Sequence, residues 1–551
     1  MVEINLAELH EAVAAALQDE ECLVWRDRRL TWAQVTERTR RLANGLRDRG
    51  LGSVVPRSQL ALHQSGQDHL ACYLTNGNEY LEAMLGAYKA RVAPFNVNYR
   101  YVAEELRYLL ADAGARAAVV HSRFAPTLAE VRADLPDLQV IIQVPDETGH
   151  PLLPGAEWYE DVLAGASPER PDVEWSPHDL YILYTGGTTG MPKGVLWRQA
   201  DIAVAAFGIR NSHQDREFDS VAEIVDKAIR TERTRFLPAP PFMHGAGHWN
   251  ALSAWGRGDP VVIQSRTDRL DPADLWGTVD QERVNFLLIV GDAFAQPLLD
   301  ELDVNRDRYD TSSLKVIMTG GAALSAGRKA ALVERLPGVL VIDGVGSSEA
   351  GGQLRQTTRA GTGTGAPSGT FHADPATVVL DEDLRTVLPP GHEGTGWLAK
   401  RGRIPLGYLG DEPKTARTFP TVDGVRYSIP GDRARVRADG LVELLGRDSV
   451  TINSGGEKIF VEEVEAAISR HPDVYDVVVV GRPSTRWGAE VVAIVRLRKG
   501  SRATPDELLA EAANHIARYK VPKQVIVRDQ ILRSPAGKAD YRWAAEVAAQ
   551  G

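Results

Sequence analysis

Tyr184-Thr185-Gly186-Gly187-Thr188-Thr189-Gly190-Met191-Pro192-Lys193-Gly194 packs four glycines, three threonine hydroxyls and one lysine into eleven residues. That composition suits polyphosphate. Glycine lets backbone N–H groups crowd an anion, hydroxyls donate further hydrogen bonds, and an ammonium neutralises charge. The loop follows Asp179-Leu180-Tyr181-Ile182-Leu183, an apolar run that reads as a strand. It is not a Walker A loop, since Gly194 stands where that motif has Ser or Thr. An ordinary Gly-rich surface turn has a similar composition, so other segments must decide.

A second site signal is Gly344-Val345-Gly346-Ser347-Ser348-Glu349, directly after an apolar run through Ile342 and Asp343. A carboxylate following a Gly-Ser turn at a strand's carboxyl end is well placed to hold Mg²⁺ beside phosphates. The stretch Gly346-Ser347-Ser348-Glu349-Ala350 approaches a hydrolase nucleophile elbow, but its fifth position lacks Gly and no Ser-His-Asp set accompanies it. His244 and His248 have the i, i+4 spacing of a helical metal pair. Gly245 and Gly247 argue against a helix there, and no Glu lies between the histidines, so zinc is not expected. Gly361-Thr362-Gly363-Thr364-Gly365-Ala366 mimics a dinucleotide fingerprint, yet Pro367 and Gly369 follow instead of a helix, so the segment reads as a loop.

The elements that must position these residues alternate along the chain. A helical period over 6–20 precedes a strand at Cys22–Trp25 and a helix capped by Thr31. Helix Tyr80–Lys89, strand Ala93–Val97, helix Ala103–Ala113 and strand Ala117–Val120 follow. Further strands are expected at Val261–Ile263, Phe286–Val290, Val316–Thr319 and Leu340–Asp343. Such alternation predicts an α/β fold with mostly parallel, helix-covered sheets. Residues 211–235 read as a charged insertion with a solvated amphipathic helix through Val221, Ile224, Val225 and Ile229. Asp439-Gly440 marks a hairpin turn in a β-rich part. Beyond Arg447 the pattern changes to a compact α+β unit, with helices at Val461–Ser469 and Thr504–His515 and strands at Val474–Val480 and Glu490–Leu497. The expected division is 1–446 and 447–551.

At 551 residues the chain exceeds one ordinary domain, and 43% hydrophobic with 25% charged residues is a globular balance. A net charge of −11 argues against a nucleic-acid platform. The opening Met1-Val2-Glu3-Ile4-Asn5 lacks signal-peptide character, and no run is apolar and long enough to span a bilayer. Two cysteines, Cys22 and Cys72, make neither a disulfide framework nor a metal cluster. A cytoplasmic location with inert thiols is the expectation.

Taken together, these segments resemble the adenylate-forming superfamily, which comprises acyl-CoA synthetases, luciferases and peptide-synthetase adenylation domains. The resemblance implies a large AMP- and acyl-binding domain and a small mobile lid, with a hinge near 447–450. It implies ATP, Mg²⁺ and coenzyme A as reactants and cofactor. Thr185, Gly186, Gly187, Thr188, Thr189 and Lys193 match its phosphate loop, Glu349 and Thr185 its metal-holding pair, and Gly320-Gly321-Ala322-Ala323 the segment that backs adenine. Asp343, Gly344, Val345, Gly346, Ser347 and Ser348 match its aromatic-Gly-x-Thr-Glu region, with Val345 departing from the aromatic, so stacking there must be apolar. Asp432 resembles the aspartate that accepts both ribose hydroxyls, which one carboxylate can do. Arg447 matches the hinge arginine that reaches the nucleotide, although Ser449 and Val450 replace the Lys or Asp of many relatives. Ser454, Gly455 and Gly456 resemble the coenzyme A tunnel loop, and Lys538, in Arg533-Ser534-Pro535-Ala536-Gly537-Lys538, the lysine that enters during adenylation. His244 matches the gate of an acyl pocket expected to be walled by Phe242, Met243, His244, Gly247, Trp249, Gly291, Phe294, Gly320 and Gly321. The chain is most similar to actinobacterial ligases acting on steroid side chains, and is also similar to terpenoid-acid ligases of platensimycin-type biosynthesis.

The implied reaction activates a carboxylic acid as its acyl-adenylate and passes it to the CoA thiol. Frequent Gly and Ala around the pocket leave room for a bulky or polycyclic acid. Two alternatives stay open on the sequence: a ligase that only thioesterifies a preformed acyl-adenylate, and an adenylation enzyme loading a carrier protein. A non-catalytic ATP-binding module would have little reason to keep Lys193, Glu349, Asp432 and Lys538 together. The expected partners are a small carboxylic acid or acyl-adenylate and CoA, without nucleic acid or stable membrane insertion, and a homodimer is compatible with them.

Overall fold

The computed structural model describes residues 2–187, 190–211, 214–361, 369–447, 450–454, 457–484, 488–534 and 537–550. The alternation in the first third builds a parallel sheet. Across it the strands run Ala93–Asn96, His69–Tyr73, Ala115–His121, Val140–Val144 and Glu157–Trp158. Helix Asn78–Lys89 beside it is buried along its whole length. Its Lys89 survives inside because the ammonium lies 2.6 Å from Glu11 and donates to Thr39 at 2.9 Å; an unpaired charge there would be strongly destabilising. The next helix inward from the N-terminus, Trp32–Asp48, starts at Thr31 with a reciprocal cap to Gln34.

A larger mixed sheet carries the strands that matter most for function. Glu21–Trp25, Val261–Ile263, Phe236–Pro238, Phe286–Ile289, Val316–Gly320 and Leu340–Ser347 lie parallel in that spatial order. Because they run the same way, their carboxyl ends bring Val290-Gly291, Gly320-Gly321 and Asp343–Ser347 to one rim. Gly351–Thr358 then returns antiparallel, and the sheet continues through Thr370–Ala373, Val442–Arg447 and Asp432–Val436. The expected hairpin at Asp439-Gly440 joins the last two, with Gly440 at φ +80°.

In a third sheet, Leu180–Gly187 pairs antiparallel with Gly190–Arg198, placing Thr185 opposite Lys193, and Gly407–Tyr408 adds to the edge. The Gly/Thr segment is thus less a loop than a hairpin. Thr188 and Thr189 lie outside the described residues.

Beyond residue 450 a separate sheet forms from Ile452–Ser454, Glu457–Ile459, Val474–Ser484, Gly488–Leu497 and Gln524–Val527. It has its own apolar core, including Val464, Ile468, Val479, Ala493 and Leu508. The insertion holds helix Val221–Arg230, capped by Ser220; Ile224 turns inward and Ile229 is exposed. Among the described residues no helix is long and apolar enough to cross a membrane. Cys22 and Cys72 are both buried.

One local expectation fails. Gly245–Trp255 is a helix, despite Gly245 and Gly247, with His244 at its N-cap. The roughly 1 kcal/mol that each helical glycine costs is outweighed by packing, for Ala251, Ala254 and Trp255 are buried. Gly247 is needed for contact: a Cβ there would stand 2.7 Å from the Pro240 and Pro241 carbonyl oxygens.

Candidate active site

A cavity of about 3750 Å³ opens between the large unit and the C-terminal unit. Thr185, Lys193, His244, Trp249, Gly320, Gly321, Ala322 and Ala323 line it, together with Asp343 to Glu349, Asp432 and Lys538. Residues separated by hundreds of positions therefore face one space.

Lys193 sits in a carboxylate niche, with Asp112 at 3.6 Å and Asp411 at 3.9 Å. Asp112 is itself held by the hydroxyls of Tyr184 at 2.8 Å and Tyr108 at 3.2 Å. Burial alone would lower the lysine's pKa, but Asp112 and the neighbouring Tyr108 and Asp411 raise it on balance. The cation is thus kept charged and aimed beside Thr185. Asn96 fixes the strand from behind: it donates to the carbonyls of Tyr184 at 2.9 Å and Met243 at 2.7 Å, and accepts from the Tyr184 N–H at 2.8 Å. It ties the phosphate-loop candidate to the His244 segment.

Glu349 is positioned by three contacts. The Tyr408 hydroxyl donates to its Oε1 at 2.9 Å, the Ser428 hydroxyl donates to its carbonyl, and Trp197 Nε1 donates to the preceding Ser348 carbonyl at 2.9 Å. Among the described residues no group of three or more His, Cys, Asp or Glu side chains forms a metal cage. A half-buried carboxylate on the cavity wall fits Mg²⁺, which is commonly held by one or two carboxylates while phosphates and water supply its other ligands.

Asp343 is buried and its carboxylate meets Lys329 at 2.5 Å; Lys329 also donates to Gln356 at 2.6 Å. Burial raises the Asp343 pKa against the opposing pull of Lys329. Asp432 follows Gly431, whose φ of +105° turns the chain into the strand, and pairs in register with Arg447. The Arg447 side chain lies outside what is described. Val345 reaches the cavity while its other side packs on the cluster of Leu354 and Phe371.

His244 has a buried Nε2 without a hydrogen-bond partner among the described residues. Burial, and then the charge of Lys538, lower its pKa to about 3. It is therefore a neutral imidazole at neutral pH. His248 is not its metal partner. Its Nδ1 is 2.6 Å from the Phe242 carbonyl and its Nε2 meets the Tyr181 hydroxyl, so both nitrogens are occupied.

Lys538 enters from the C-terminal unit. Arg533 pairs with Asp476 at 2.6 Å and donates to the Gly537 carbonyl at 3.1 Å, holding the turn. Gly537 has φ +70°, and a Cβ there would meet Val290 and Ala293 at 3.1 Å. Arg328 of the large unit grips the same domain, donating to the carbonyls of Tyr475 at 3.0 Å and Val474 at 3.4 Å. Ser454 instead pairs with Gly488 at the far hairpin and does not line the cavity; Gly455 and Gly456 lie outside the described residues.

The acyl-pocket expectation needs correction. Phe242 packs edge-on against Tyr80 at 5.7 Å and is fully buried, Met243 is in the core, and Phe294 joins Leu298 and Leu299. None of their side chains reaches the cavity. Gly247 and Gly291 also lie behind its wall, and a Cβ on Gly291 would stand 2.4 Å from the Ala323 carbonyl oxygen. The lining on that side comes from Gly245, Ala246, Trp249, Asn250, Ser253 and Arg257. Tyr408, Asp112, Asn96 and Arg328 carried no motif, and only the fold shows what they hold.

A model of the AMP-binding enzyme family matches residues 10–409, and a model of the AMP-binding enzyme C-terminal domain matches residues 463–538. A medium-chain acyl-CoA ligase, Mig, of Mycobacterium avium is 54% identical, with 98% of each chain covered. A medium/long-chain-fatty-acid–CoA/3-oxocholest-4-en-26-oate–CoA ligase of Mycolicibacterium smegmatis is 41% identical over 99% of this chain and 96% of its own. The crystal structure of the anthranilate CoA ligase AuaEII with anthranoyl-AMP superposes with a TM-score of 0.82 at 21% identity, covering 99% and 98% of the two chains. That likeness speaks for the fold.

Proposed function

The chain belongs to the AMP-binding enzyme family, and from that premise we propose that it is an AMP-forming acid–CoA ligase that converts a long-chain or bulky, polycyclic carboxylic acid to its CoA thioester through an acyl-adenylate. The observation that carries the reading is the convergence of Lys193, Glu349, Asp432 and Lys538 on one cavity. The 54% and 41% identical relatives, both named as CoA ligases, support the acceptor.

A carboxylate is a poor electrophile because its leaving group would be too basic. Transfer of AMP makes a mixed anhydride whose leaving group is stable. In the proposed first step Lys193 and the Thr185–Thr189 segment hold the nucleotide's outer phosphates, and Asp432 takes the ribose hydroxyls. Lys538 bridges the acid's carboxylate and the α-phosphate, where charge grows as pyrophosphate departs. Mg²⁺, held by Glu349 and Thr185 with the phosphates, would supply further charge neutralisation. Val345 offers adenine an apolar face, and Gly320–Ala323 a main-chain edge.

In the proposed second step the small domain, 447–551, turns about a hinge at 447–450, and Ser454-Gly455-Gly456 replaces Lys538 at the cavity. The CoA thiol has a reference pKa of about 8.5 by analogy with a cysteine side chain. Burial, the larger cause of the lowered His244 pKa, does not depend on Lys538, so we assign His244 to gating the acyl pocket rather than to taking the thiol proton. The test is a panel of acids with ATP, Mg²⁺ and CoA, run with and without CoA and read by mass spectrometry. Acyl-CoA with CoA and acyl-adenylate without it are expected. Absence of carboxylate-dependent ATP–pyrophosphate exchange would remove the first step, and product only on a carrier protein would remove the acceptor.

A further inference from the structure

One face of helix Gly245–Trp255 lines the cavity, and the residues on it change character along its length. Beside the His244 gate stand Gly245 and Ala246, then Trp249 and Asn250, then Ser253, and just past the helix end Arg257. An α-helix rises 1.5 Å per residue, so this eleven-residue face is about 16 Å long. An extended chain advances roughly 1.2 Å per bond, so the face matches about thirteen bonds.

Arg257 is held rigidly but incompletely paired. Its Nε donates to the Ser253 carbonyl at 3.2 Å and its Nη2 to the Ser253 hydroxyl at 2.9 Å, while its guanidinium lies 4.9 Å over the Phe236 ring. Asp259 Oδ2 stands 4.0 Å from Nε, beyond hydrogen-bond reach, while its Oδ1 accepts the Thr234 N–H at 2.9 Å. A guanidinium has five N–H donors, so three remain without a protein acceptor among the described residues. Its side chain is 44% accessible. Arg257 lines the cavity. By contrast Arg210, also on the cavity, is matched by Asp374 at 3.3 Å.

Resting on the ligase reading above, we propose that Arg257 is a specificity residue at the far end of the acyl site. It selects acids that carry a hydrogen-bond-accepting oxygen, a keto group or a second carboxylate, about 16 Å from the carboxylate being activated. A plain methyl terminus would bury the three free donors without partners, whereas an oxygen satisfies at least one of them.

The experiment compares kcat/KM for a linear acid of about thirteen bonds, its ω-oxo analogue, the matching dicarboxylate and a steroid side-chain acid with a ring ketone. Arg257→Met and Arg257→Lys are run beside the wild type, with the melting transition of each variant confirming its fold. The wild type should prefer the oxygenated acids by about 10-fold or more, Arg257→Met should bring the ratio close to one, and Arg257→Lys should keep part of it. A preference for only the keto or only the dicarboxylate acids supports the assignment and identifies the oxygen. Equal kcat/KM for plain and oxygenated acids in the wild type overturns it, as does a preference that survives Arg257→Met. If none of these acids, nor hexanoate run as an added control, yields acyl-CoA, the ligase reading has failed and not the assignment of Arg257.

Discussion

The Tyr408 hydroxyl donates to Glu349 Oε1 at 2.9 Å, and Tyr408 stands on the strand paired with the one that carries Lys193. The proposed metal-holding carboxylate and the proposed phosphate-holding lysine are thus fixed through one small sheet. Removing the hydroxyl in Tyr408→Phe leaves the ring packed against Phe419 and frees Glu349 to swing. ATP–pyrophosphate exchange should fall about 10-fold, the value of a hydrogen bond to a charged group, with its half-saturating Mg²⁺ concentration raised. A variant with unchanged Mg²⁺ dependence would detach Tyr408 from the metal site.

Lys193 has two carboxylates as neighbours rather than one tight partner, at 3.6 and 3.9 Å. Such a cation can turn to an incoming phosphate without leaving a half-buried acid unpaired, since Tyr108 and Tyr184 still hold Asp112. Lys193→Met should raise KM for ATP by about 10- to 100-fold and leave the melting temperature within a few degrees. Steady-state kinetics over an ATP titration checks this. An unaltered KM would move the triphosphate elsewhere.

Arg328 is buried and spans the two units, holding the Tyr475 carbonyl at 3.0 Å while the adjacent Lys329 holds Asp343. It supports the arrangement in which Lys538 reaches the cavity. Arg328→Ala should slow ATP–pyrophosphate exchange by about 10-fold, while thioester formation from supplied acyl-adenylate and CoA stays near the wild-type rate. Equal losses in both half-reactions would mean that Arg328 merely stabilises the protein.

Much of this site was legible because certain residue types advertise chemistry. Thr185, Lys193, Glu349, Asp432 and Lys538 stand in short Gly-rich contexts whose order along the chain carries information, and all face one cavity. Phe242, Met243 and Phe294 turn into the core for a reason no motif carries: a large apolar side chain suits a pocket wall and a core equally, and sequence alone does not show which way it points. The helix at Gly245 was missed because local propensity opposes it and only distant packing compensates. Asp112 and Tyr408 come from unremarkable segments, and nothing short of the fold brings them to Lys193 and Glu349. The parallel strands were easier, since apolar runs alternating with amphipathic helices leave few topologies open.

His248 supplies a pH-dependent term. It is buried, and burial, despite hydrogen bonding to the Phe242 carbonyl, lowers its pKa to about 4. In the neutral ring Nδ1–H donates to that carbonyl and Nε2 accepts from the Tyr181 hydroxyl. Unfolded, the same histidine titrates near 6.5. The unfolded chain therefore takes up the proton first as pH falls, and the stability contributed by the neutral form, complete above about 6.5, declines by about 1.4 kcal/mol per pH unit until the folded form protonates near 4. His248→Gln removes the titration, so its unfolding free energy should vary less steeply with pH than the wild type's between those limits, whatever its absolute value. Urea unfolding at half-unit pH intervals measures both slopes. Parallel curves for the two proteins would show that His248 titrates alike in the folded and unfolded states, against the occupied, buried ring seen here. The same titration should reach the active site, because protonation of Nε2 breaks the acceptor that keeps Tyr181 and, through its hydroxyl at 2.6 Å, Trp249 Nε1 in place on the cavity wall.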